Sequence, residues 1–253
     1  MSSTAMKGLR KKLTNYLIEL RLPTIRDSYE EIAQQATNNS LSYEQYLYDL
    51  VETECDNKKN NRIKRLLKSS QLPLEKRLDQ FKQDRLPLKV KQQVNQLLTG
   101  EFLHHATNVL AFGLPGTGKS HLLCAIAQEL VMKGYQILFT TSALLVQELL
   151  RAKKQLELAK ALKRLSKYDA ILIDDIGYVQ QTREEMEVLF TLLADRYEKK
   201  SVMLTSNLPF SKWEQIFKDP MTTAAAIDRM VHHSVIIELN ISSFRMEIAK
   251  ENK

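Results

Sequence analysis

The sequence predicts an α/β protein, with a five-stranded parallel sheet flanked by helices and preceded by a small all-α domain. From residue 107 onward, short apolar runs alternate with helical stretches. A glycine-rich stretch, AFGLPGTGKS at residues 111–120, joins the first apolar run to the first of these helices. Residues 9–70, in contrast, show only helical spacing of apolar side chains. Alternating strands and helices favour a parallel sheet with helices on both faces.

Five runs are predicted as strands: NVLAFG, YQILFTT, DAILIDD, SVMLTSN and SVIIEL. They are almost continuously apolar, which is typical of strands covered on both faces. Helices are expected from Lys119 to about Lys133, from near Ser142, and from Thr182, where TREE forms a capping box with Glu185. PFSKWEQIF and TTAAAIDRMVHH are also expected to be helical.

Three regions are expected along the chain. Residues 1–70 form a helical domain with no catalytic motif, available for contacts with DNA, with a partner or for self-assembly. Residues 71–90 read as a basic linker punctuated by Pro73 and Pro87. Residues 91–253 carry the nucleotide-binding domain.

Composition argues for a cytoplasmic protein without a membrane partner. The chain has 253 residues, of which 43% are hydrophobic and 26% charged, and no apolar run approaches the roughly 18 residues of a membrane span. The N-terminus lacks the apolar core of a signal peptide. Cys55 and Cys124 form no metal-binding or redox spacing and are expected to be reduced, buried thiols.

Positive charge is concentrated in two blocks. Residues 58–91 carry twelve Lys or Arg against three acids, and residues 151–167 carry seven against one. Either block alone is equally well explained as a solvated helix face. Two such blocks beside a nucleotide-binding core favour a nucleic-acid partner, although charge does not separate RNA from DNA.

The stretch that follows the first strand matches the phosphate-binding pattern G-x-x-x-x-G-K-[ST]. Its glycines allow backbone N–H groups to surround phosphates, and the helix N-terminus adds a positive dipole end. Lys119 would reach the β- and γ-phosphates, and the Ser120 hydroxyl would bind Mg²⁺. The predicted nucleotide-binding residues in this stretch are Gly113, Pro115, Gly116, Thr117, Gly118, Lys119, Ser120 and His121.

Polar side chains end two further strands. Asp174, at the end of AILIDD, is expected beside the phosphate loop as a Mg²⁺ partner. Asp175 either polarises the attacking water or caps the following turn. Asn207 either orients the water or belongs to a turn before Pro209.

Lys119, Asp174–Asp175, Asn207, AAAIDRM and SSFRM occur in the order seen in AAA+ ATPases of the helicase-loader and initiator branch. The chain resembles the IstB-like family, helper ATPases of insertion-sequence transposition, over nearly its whole length. LRLPTIRDSYEE, LSYEQYLYDLVETE and RLLKSSQLPLEKRLDQF carry the resemblance in the N-terminal half. The DnaC helicase loader shares the ATPase part but not this N-terminal pattern.

The resemblance implies roles for three polar residues. Asn207 corresponds to the sensor asparagine, Arg229 to an arginine finger that reaches a neighbouring subunit's nucleotide, and Arg245 to a second sensor. A surface charge or a pair with Asp228 is the alternative for Arg229. Arg245 has the weaker case, because the sequence ends eight residues later and the usual helical lid is nearly absent. The family's Asp-Glu is Asp-Asp here, and its Ser-Tyr-Arg is Ser-Phe-Arg.

The resemblance also implies that the basic block between the second and third strands faces DNA. Such contacts would be with phosphates, insensitive to sequence and sensitive to salt. The candidate DNA-binding residues are Arg151, Lys153, Lys154, Lys160, Lys163 and Arg164.

The expected function is an ATP-dependent transposition helper, with ATP and Mg²⁺ as cofactors. It would oligomerise on duplex DNA as a ring or spiral, with ATP at subunit interfaces, and would recruit and stimulate a transposase. The alternatives are a DnaC-like replicative helicase loader, a small-molecule kinase, and a DNA-bundling protein with a vestigial nucleotide site.

Overall fold

The structure is a computed structural model that describes residues 3–177, 182–209, 212–213 and 227–244. The chain divides into two units, residues 1–65 and residues 66–253. The segment 71–90, expected as a linker, lies within the second unit, where Leu72, Leu86 and Val90 are buried in the core.

The described part of the first unit contains helices joined by short turns and no strand, as the sequence predicts. Glu54 is buried in this unit, and its Oε2 accepts a hydrogen bond of 2.9 Å from the backbone N–H of Ile25 at the start of the second helix. Its other oxygen lies 3.5 Å from the Lys58 ammonium. The three helices are α1 (Ser3–Glu19), α2 (Pro23–Asn38) and α3 (Tyr43–Ser70), the last of which continues into the second unit.

The second unit contains the predicted five-stranded sheet, and all five strands are parallel in the order β2-β3-β4-β1-β5. The described elements are a 3₁₀ turn (Gln83–Arg85), α4 (Leu88–Thr99), α5 (Glu101–His104), β1 (Asn108–Gly113), α6 (Lys119–Met132), β2 (Ile137–Thr141), α7 (Ser142–Lys154), α8 (Leu158–Leu165), β3 (Ala170–Ile176), α9 (Arg183–Arg196), β4 (Ser201–Ser206), a short helix at residues 227–231 and β5 (Ser234–Leu239).

The predicted capping box of α9 is confirmed, since the Thr182 hydroxyl accepts from the Glu185 N–H and the Glu185 side chain accepts from the Thr182 N–H. The helical prediction for PFSKWEQIF falls largely outside the described residues. That for TTAAAIDRMVHH is described from residue 227 onward, and it is confirmed there by the helix at residues 227–231.

Helices cover both faces of the sheet, because successive apolar side chains of a strand point to opposite faces and both sets must be buried. Val109 and Ala111 of β1 belong to a core with residues of α4 and α6. Leu110 and Phe112 belong to a second core with residues of α7 and α9. This alternation is the period-2 pattern of a strand, and it places β1 between the two cores.

The two cysteines differ in environment. Cys124 is buried in α6, and this burial raises the pKa of its thiol to about 12. Cys55 is exposed, so the expectation that both thiols are buried is wrong for this residue. It lies on α3, whose long stretch of polar side chains leaves most of its surface open to solvent. None of the described helices is long and apolar enough to cross a bilayer.

Candidate nucleotide-binding site

The loop between β1 and α6 has a backbone that requires glycine. Gly116 has φ 82°, and a Cβ on it would lie 2.1 Å from the Ser243 Oγ. A Cβ on Gly113 would lie 2.6 Å from the carbonyl oxygen of Leu239. Gly118 caps α6 in the left-handed conformation. The loop therefore brings its backbone, and the N-terminus of α6, close to any group bound there.

Lys119 begins α6 and is only 6% exposed. Its ammonium donates hydrogen bonds to the carbonyl oxygens of Gly113 at 2.8 Å and Leu114 at 3.0 Å. The Thr117 hydroxyl donates to the same Leu114 oxygen at 2.9 Å. The positive charge is thus fixed inside the phosphate loop, where it can meet an anion.

Two carboxylates lie at the end of β3, and one hydroxyl positions both. Asp174 is 6% exposed, and its Oδ1 accepts a hydrogen bond of 2.5 Å from the Thr205 hydroxyl. The same hydroxyl oxygen accepts from the Asp175 N–H at 2.9 Å. Asp175 has φ 60°, and the pairing of β3 with β4 changes register between Ile173 and Ile176. Consecutive residues of a regular strand point to opposite faces of the sheet. Because of this irregularity, Asp174 and Asp175 depart from that pattern.

The loop and the carboxylates line one cavity of about 400 Å³. The cavity lies at the carboxyl ends of β1, β3 and β4, which are neighbours in the sheet. Residues at this edge are expected to form ligand sites in parallel sheets. Of the residues predicted from sequence, the cavity is lined by Pro115, Gly116, Thr117, Gly118, Lys119, Ser120, His121, Asp174, Asp175 and Asn207.

The segment before α4 forms a wall of the cavity that sequence analysis missed. The cavity is also lined by Lys76, Gln80, Phe81, Lys82 and Arg85. The rings of Phe81 and His121 meet edge to face, with centroids 5.3 Å apart. These residues belong to the basic block 58–91, whose charge by itself indicates a polyanionic partner. No pattern within this stretch indicates the cavity, because the stretch is placed there by contacts to Ser242 and Phe244, which are distant in sequence.

Phe244, from the SSFRM motif, closes the cavity on another side. Its backbone N–H donates to the Gly116 carbonyl at 3.0 Å. The Lys82 ammonium lies 5.0 Å from the centre of its ring, and the Arg85 guanidinium 5.4 Å. Arg85 also donates to the carbonyl and the hydroxyl of Ser242, both at 3.0 Å. The chain after β5 is thereby bound to the phosphate loop and to the segment before α4.

The structure does not bring Arg229 into this cavity. Arg229 is exposed in the short helix before β5, and among the described residues it has no ion-pair partner, Asp228 included. The His233 carbonyl that follows this helix accepts from the Asn108 N–H at the start of β1. The phosphate loop begins at the other end of β1, roughly 17 Å away for a strand of this length. Arg245 lies outside the described residues.

The oxygen donors in the cavity suit Mg²⁺. This ion prefers carboxylate and hydroxyl oxygens together with phosphates and water, and the Ser120 side chain and the buried Asp174 carboxylate both line the cavity. A second group of possible metal ligands, Glu198, His232 and His233, is exposed. It lies near the amino ends of the strands, away from the phosphate loop.

The basic block 151–167 forms the end of α7, α8 and the turns beside them. Three of its predicted DNA-binding residues are paired with acids: Lys153 with Glu187 at 2.8 Å, Lys160 with Glu157 at 3.2 Å, and Arg164 with Glu148. Among the described residues, Arg151, Lys154 and Lys163 have no ion-pair partner. The block is therefore part of the folded surface, and in the described part of the chain its unpaired charge lies on these three side chains and on Lys167.

The chain is similar to solved structures of replication proteins. It has a TM-score of 0.55 and 20% identity to DnaI, covering 68% of this chain and 95% of that one. For the DnaC helicase loader the TM-score is 0.53 at 19% identity, covering 66% and 97%. For AMPPCP-bound DnaA from Aquifex aeolicus it is 0.54 at 19% identity, covering 72% and 55%. These similarities show the fold, which is that of a P-loop AAA+ protein.

Sequence relatives cover almost the whole chain. An insertion-sequence ATP-binding protein of Sinorhizobium fredii is 40% identical over 94% of this chain and 80% of its own length. The ATP-binding protein of insertion sequence IS5376 from Geobacillus stearothermophilus is 33% identical, covering 94% and 95%. The ATP-binding protein of IS21 from Pseudomonas aeruginosa is 32% identical, covering 91% and 87%. The family described as IstB-like ATP binding protein matches residues 15–252, and the chain belongs to that family.

Proposed function

We propose that this protein is an ATP-dependent, DNA-binding helper of transposition. It oligomerises on duplex DNA with ATP at subunit interfaces, and it recruits and stimulates a transposase. The observation that carries the proposal is the cavity in which the buried Lys119 lies with Asp174, Asp175 and Asn207 at the carboxyl ends of the strands. Family membership supports the insertion-sequence context, since the relatives are insertion-sequence ATP-binding proteins.

The cavity has the parts needed to bind a nucleoside triphosphate. Loop N–H groups and the Lys119 ammonium would contact the phosphates, and Ser120 with Asp174 would hold Mg²⁺. The ion, when bound, neutralises charge on the β- and γ-phosphates. Phe81 and Phe244 provide apolar surface at the cavity wall for the rest of the nucleotide. ATP is the proposed ligand because it is the one named for the family and its relatives.

Hydrolysis would use the polar residues opposite the loop. The Asp175 carboxylate accepts a proton from water, and Asn207 orients that water by hydrogen bonding. Asp175 is suited to this role because it is exposed to the cavity while its backbone is fixed by Thr205. Its side chain is one methylene shorter than a glutamate, so we expect slow turnover, as befits a protein whose nucleotide state controls an assembly.

Arg229 would complete the site of a neighbouring subunit. It is exposed, unpaired with Asp228 in the described part of the chain, and remote from its own phosphate loop. An arginine in trans stabilises charge on the transferred phosphoryl group and contributes about 10³–10⁵ in rate. Hydrolysis would therefore depend on assembly.

Complementation between two inactive chains tests the proposal. Lys119→Ala removes the ammonium that meets the phosphates, and Arg229→Ala leaves the chain's own loop intact. Each variant alone should lack DNA-stimulated ATP hydrolysis, and only Arg229→Ala should still bind a fluorescent ATP analogue. Mixed assemblies place an intact loop beside an intact arginine, so hydrolysis should partly return in proportion to mixed interfaces.

The outcomes separate the components of the proposal. No recovery at any mixing ratio, with co-assembly confirmed, would remove Arg229 from the neighbour's site. Unchanged nucleotide affinity of Lys119→Ala would reject the phosphate loop assignment. Pull-downs against a transposase and against a hexameric helicase separate the transposition helper from the helicase loader, whose fold this chain shares.

A further inference from the structure

The turn between α7 and α8 contains a leucine in a strained backbone conformation. Leu156 follows α7 with φ 60°, the left-handed conformation. Its N–H donates to the Lys153 carbonyl at 3.1 Å, and the next N–H, of Glu157, donates to the Ala152 carbonyl at 2.8 Å. This pair of hydrogen bonds is the Schellman motif, whose left-handed residue is usually glycine because a Cβ is strained there.

The Leu156 side chain is also the most exposed of the large apolar side chains in the described part of the chain, at 95%. An isolated exposed leucine is ordinary. Leucine at this position lowers the stability of the fold in two ways: its backbone is strained at positive φ, and its apolar side chain is exposed to water. Within the described chain, no packing contact offsets these costs. The side chain is therefore expected to contact something outside it.

The surroundings of Leu156 are those of a polyanion-binding surface. A groove of about 450 Å³ beside the turn is lined by Arg151, Lys160, Lys163, Arg164 and Lys167, among others. The acids at this groove are Glu148 and Glu157, which pair with Arg164 and Lys160. The other cations of the groove have no ion-pair partner among the described residues, so they can contact phosphates. A nucleic acid combines a charged backbone, which matches the cations of the groove, with an apolar base stack, which matches the exposed Leu156.

The turn is rigidly connected to the core. Leu145, Val146 and Leu149 of α7 are buried. Beyond α8, the Arg196 guanidinium donates to the carbonyls of Leu165 and Tyr168, both at 3.0 Å. A leucine on such a hairpin is presented at a fixed position, as an inserting side chain requires.

We propose that Leu156 inserts between base pairs of duplex DNA while the basic side chains around it contact the flanking phosphates. This inference rests on the proposed DNA binding of the block 151–167 and specifies its mode. Apolar wedges of this kind enter the minor groove and partially unstack one base step. Leu156 thereby adds affinity that depends on the deformability of the step and not on salt.

The test compares Leu156→Gly with wild type on duplex DNA in the presence of a non-hydrolysable ATP analogue. Glycine relieves the left-handed strain, so the variant should melt no lower than wild type. Its affinity for DNA should fall about tenfold, while the slope of log affinity against log salt stays unchanged because every phosphate contact is retained. With 2-aminopurine in the duplex, the fluorescence increase of unstacking should disappear. Leu156→Met, which retains an apolar side chain, should restore both signals.

Two controls distinguish failure of this inference from failure of the proposed function. Charge reversal at Lys153, Lys154 and Lys163 should flatten the salt slope, by about one unit for each phosphate that is no longer neutralised. Met132→Ser removes an exposed apolar side chain at the end of α6 and should change nothing. If wild type does not bind duplex DNA, the proposed function fails.

If charge reversal weakens binding but Leu156→Gly binds and unstacks DNA as wild type does, the wedge is refuted. It is equally refuted if Leu156→Gly changes the sedimentation of the protein without DNA and leaves DNA affinity unchanged. In that case the leucine contacts a second copy of the chain.

Discussion

Replacing Thr205 with Val tests whether one hydroxyl organises both carboxylates of the nucleotide site. Valine has nearly the same shape but neither donates to Asp174 nor accepts from the Asp175 N–H. A hydrogen bond to a charged group contributes about 1.5–3 kcal/mol and a neutral one about 0.5–1.5 kcal/mol. Because a single hydroxyl makes both and neighbouring contributions do not add, we expect a net loss of about 2 kcal/mol. For a protein of this size that corresponds to a melting temperature lower by about 4–8 °C.

The functional effect should exceed the effect on folding. Without Thr205 as acceptor, the Asp175 backbone can leave its left-handed conformation, and Asp174 can rotate away from the orientation in which we propose that it would hold Mg²⁺. Misplacement of about 1 Å can reduce a rate about hundredfold. The assay is phosphate release at a temperature well below melting, measured against Mg²⁺ concentration. We expect a higher Mg²⁺ requirement together with turnover lower by about ten- to a hundredfold.

Two matched variants make the result interpretable. Thr205→Ser keeps the hydroxyl and should restore the Mg²⁺ requirement and most of the turnover. Ser201→Ala removes a buried hydroxyl at the other end of β4, whose contact is a 3.5 Å hydrogen bond to the Phe102 carbonyl. It should not alter the Mg²⁺ requirement. Wild-type turnover and Mg²⁺ dependence in Thr205→Val would refute the positioning role.

Three further substitutions examine the site. Asp175→Asn keeps the shape but loses the basic oxygen, so ATP binding by fluorescence titration should persist while phosphate release slows about 10²- to 10⁴-fold; unchanged turnover would make Asp175 a turn residue. Gly116→Ala and Gly134→Ala both place a Cβ at positive φ, but only the first meets an atom, the Ser243 Oγ. Both should lose some stability, and only Gly116→Ala should lose nucleotide affinity, by about tenfold or more. Equal losses of affinity would attribute the effect to backbone strain alone.

Local patterns were sufficient to predict most of the fold. The strands and the capping box of Thr182 are recognisable because apolar runs and helix caps involve residues close in sequence. The phosphate loop is recognisable for the same reason, since its glycines and Lys119 lie close together in the chain. The wall formed by Phe81, Lys82 and Arg85 could not be predicted, because its contacts to Phe244 and Ser242 span more than 150 residues.

The sequence by itself determined that a phosphate loop follows β1, that Asp174 lies near the carboxyl end of β3 and Asn207 follows β4, and that the chain resembles the IstB-like family. Only the tertiary structure decided that Thr205 binds both aspartates, that Arg229 is absent from its own chain's cavity, and that Leu156 is exposed at a left-handed turn. The features that only the structure reveals depend on strand order and on backbone conformation. Hydrophobic spacing specifies which residues form a strand, whereas the neighbour of each strand, and the side chains that meet at its end, follow from packing between segments distant in sequence.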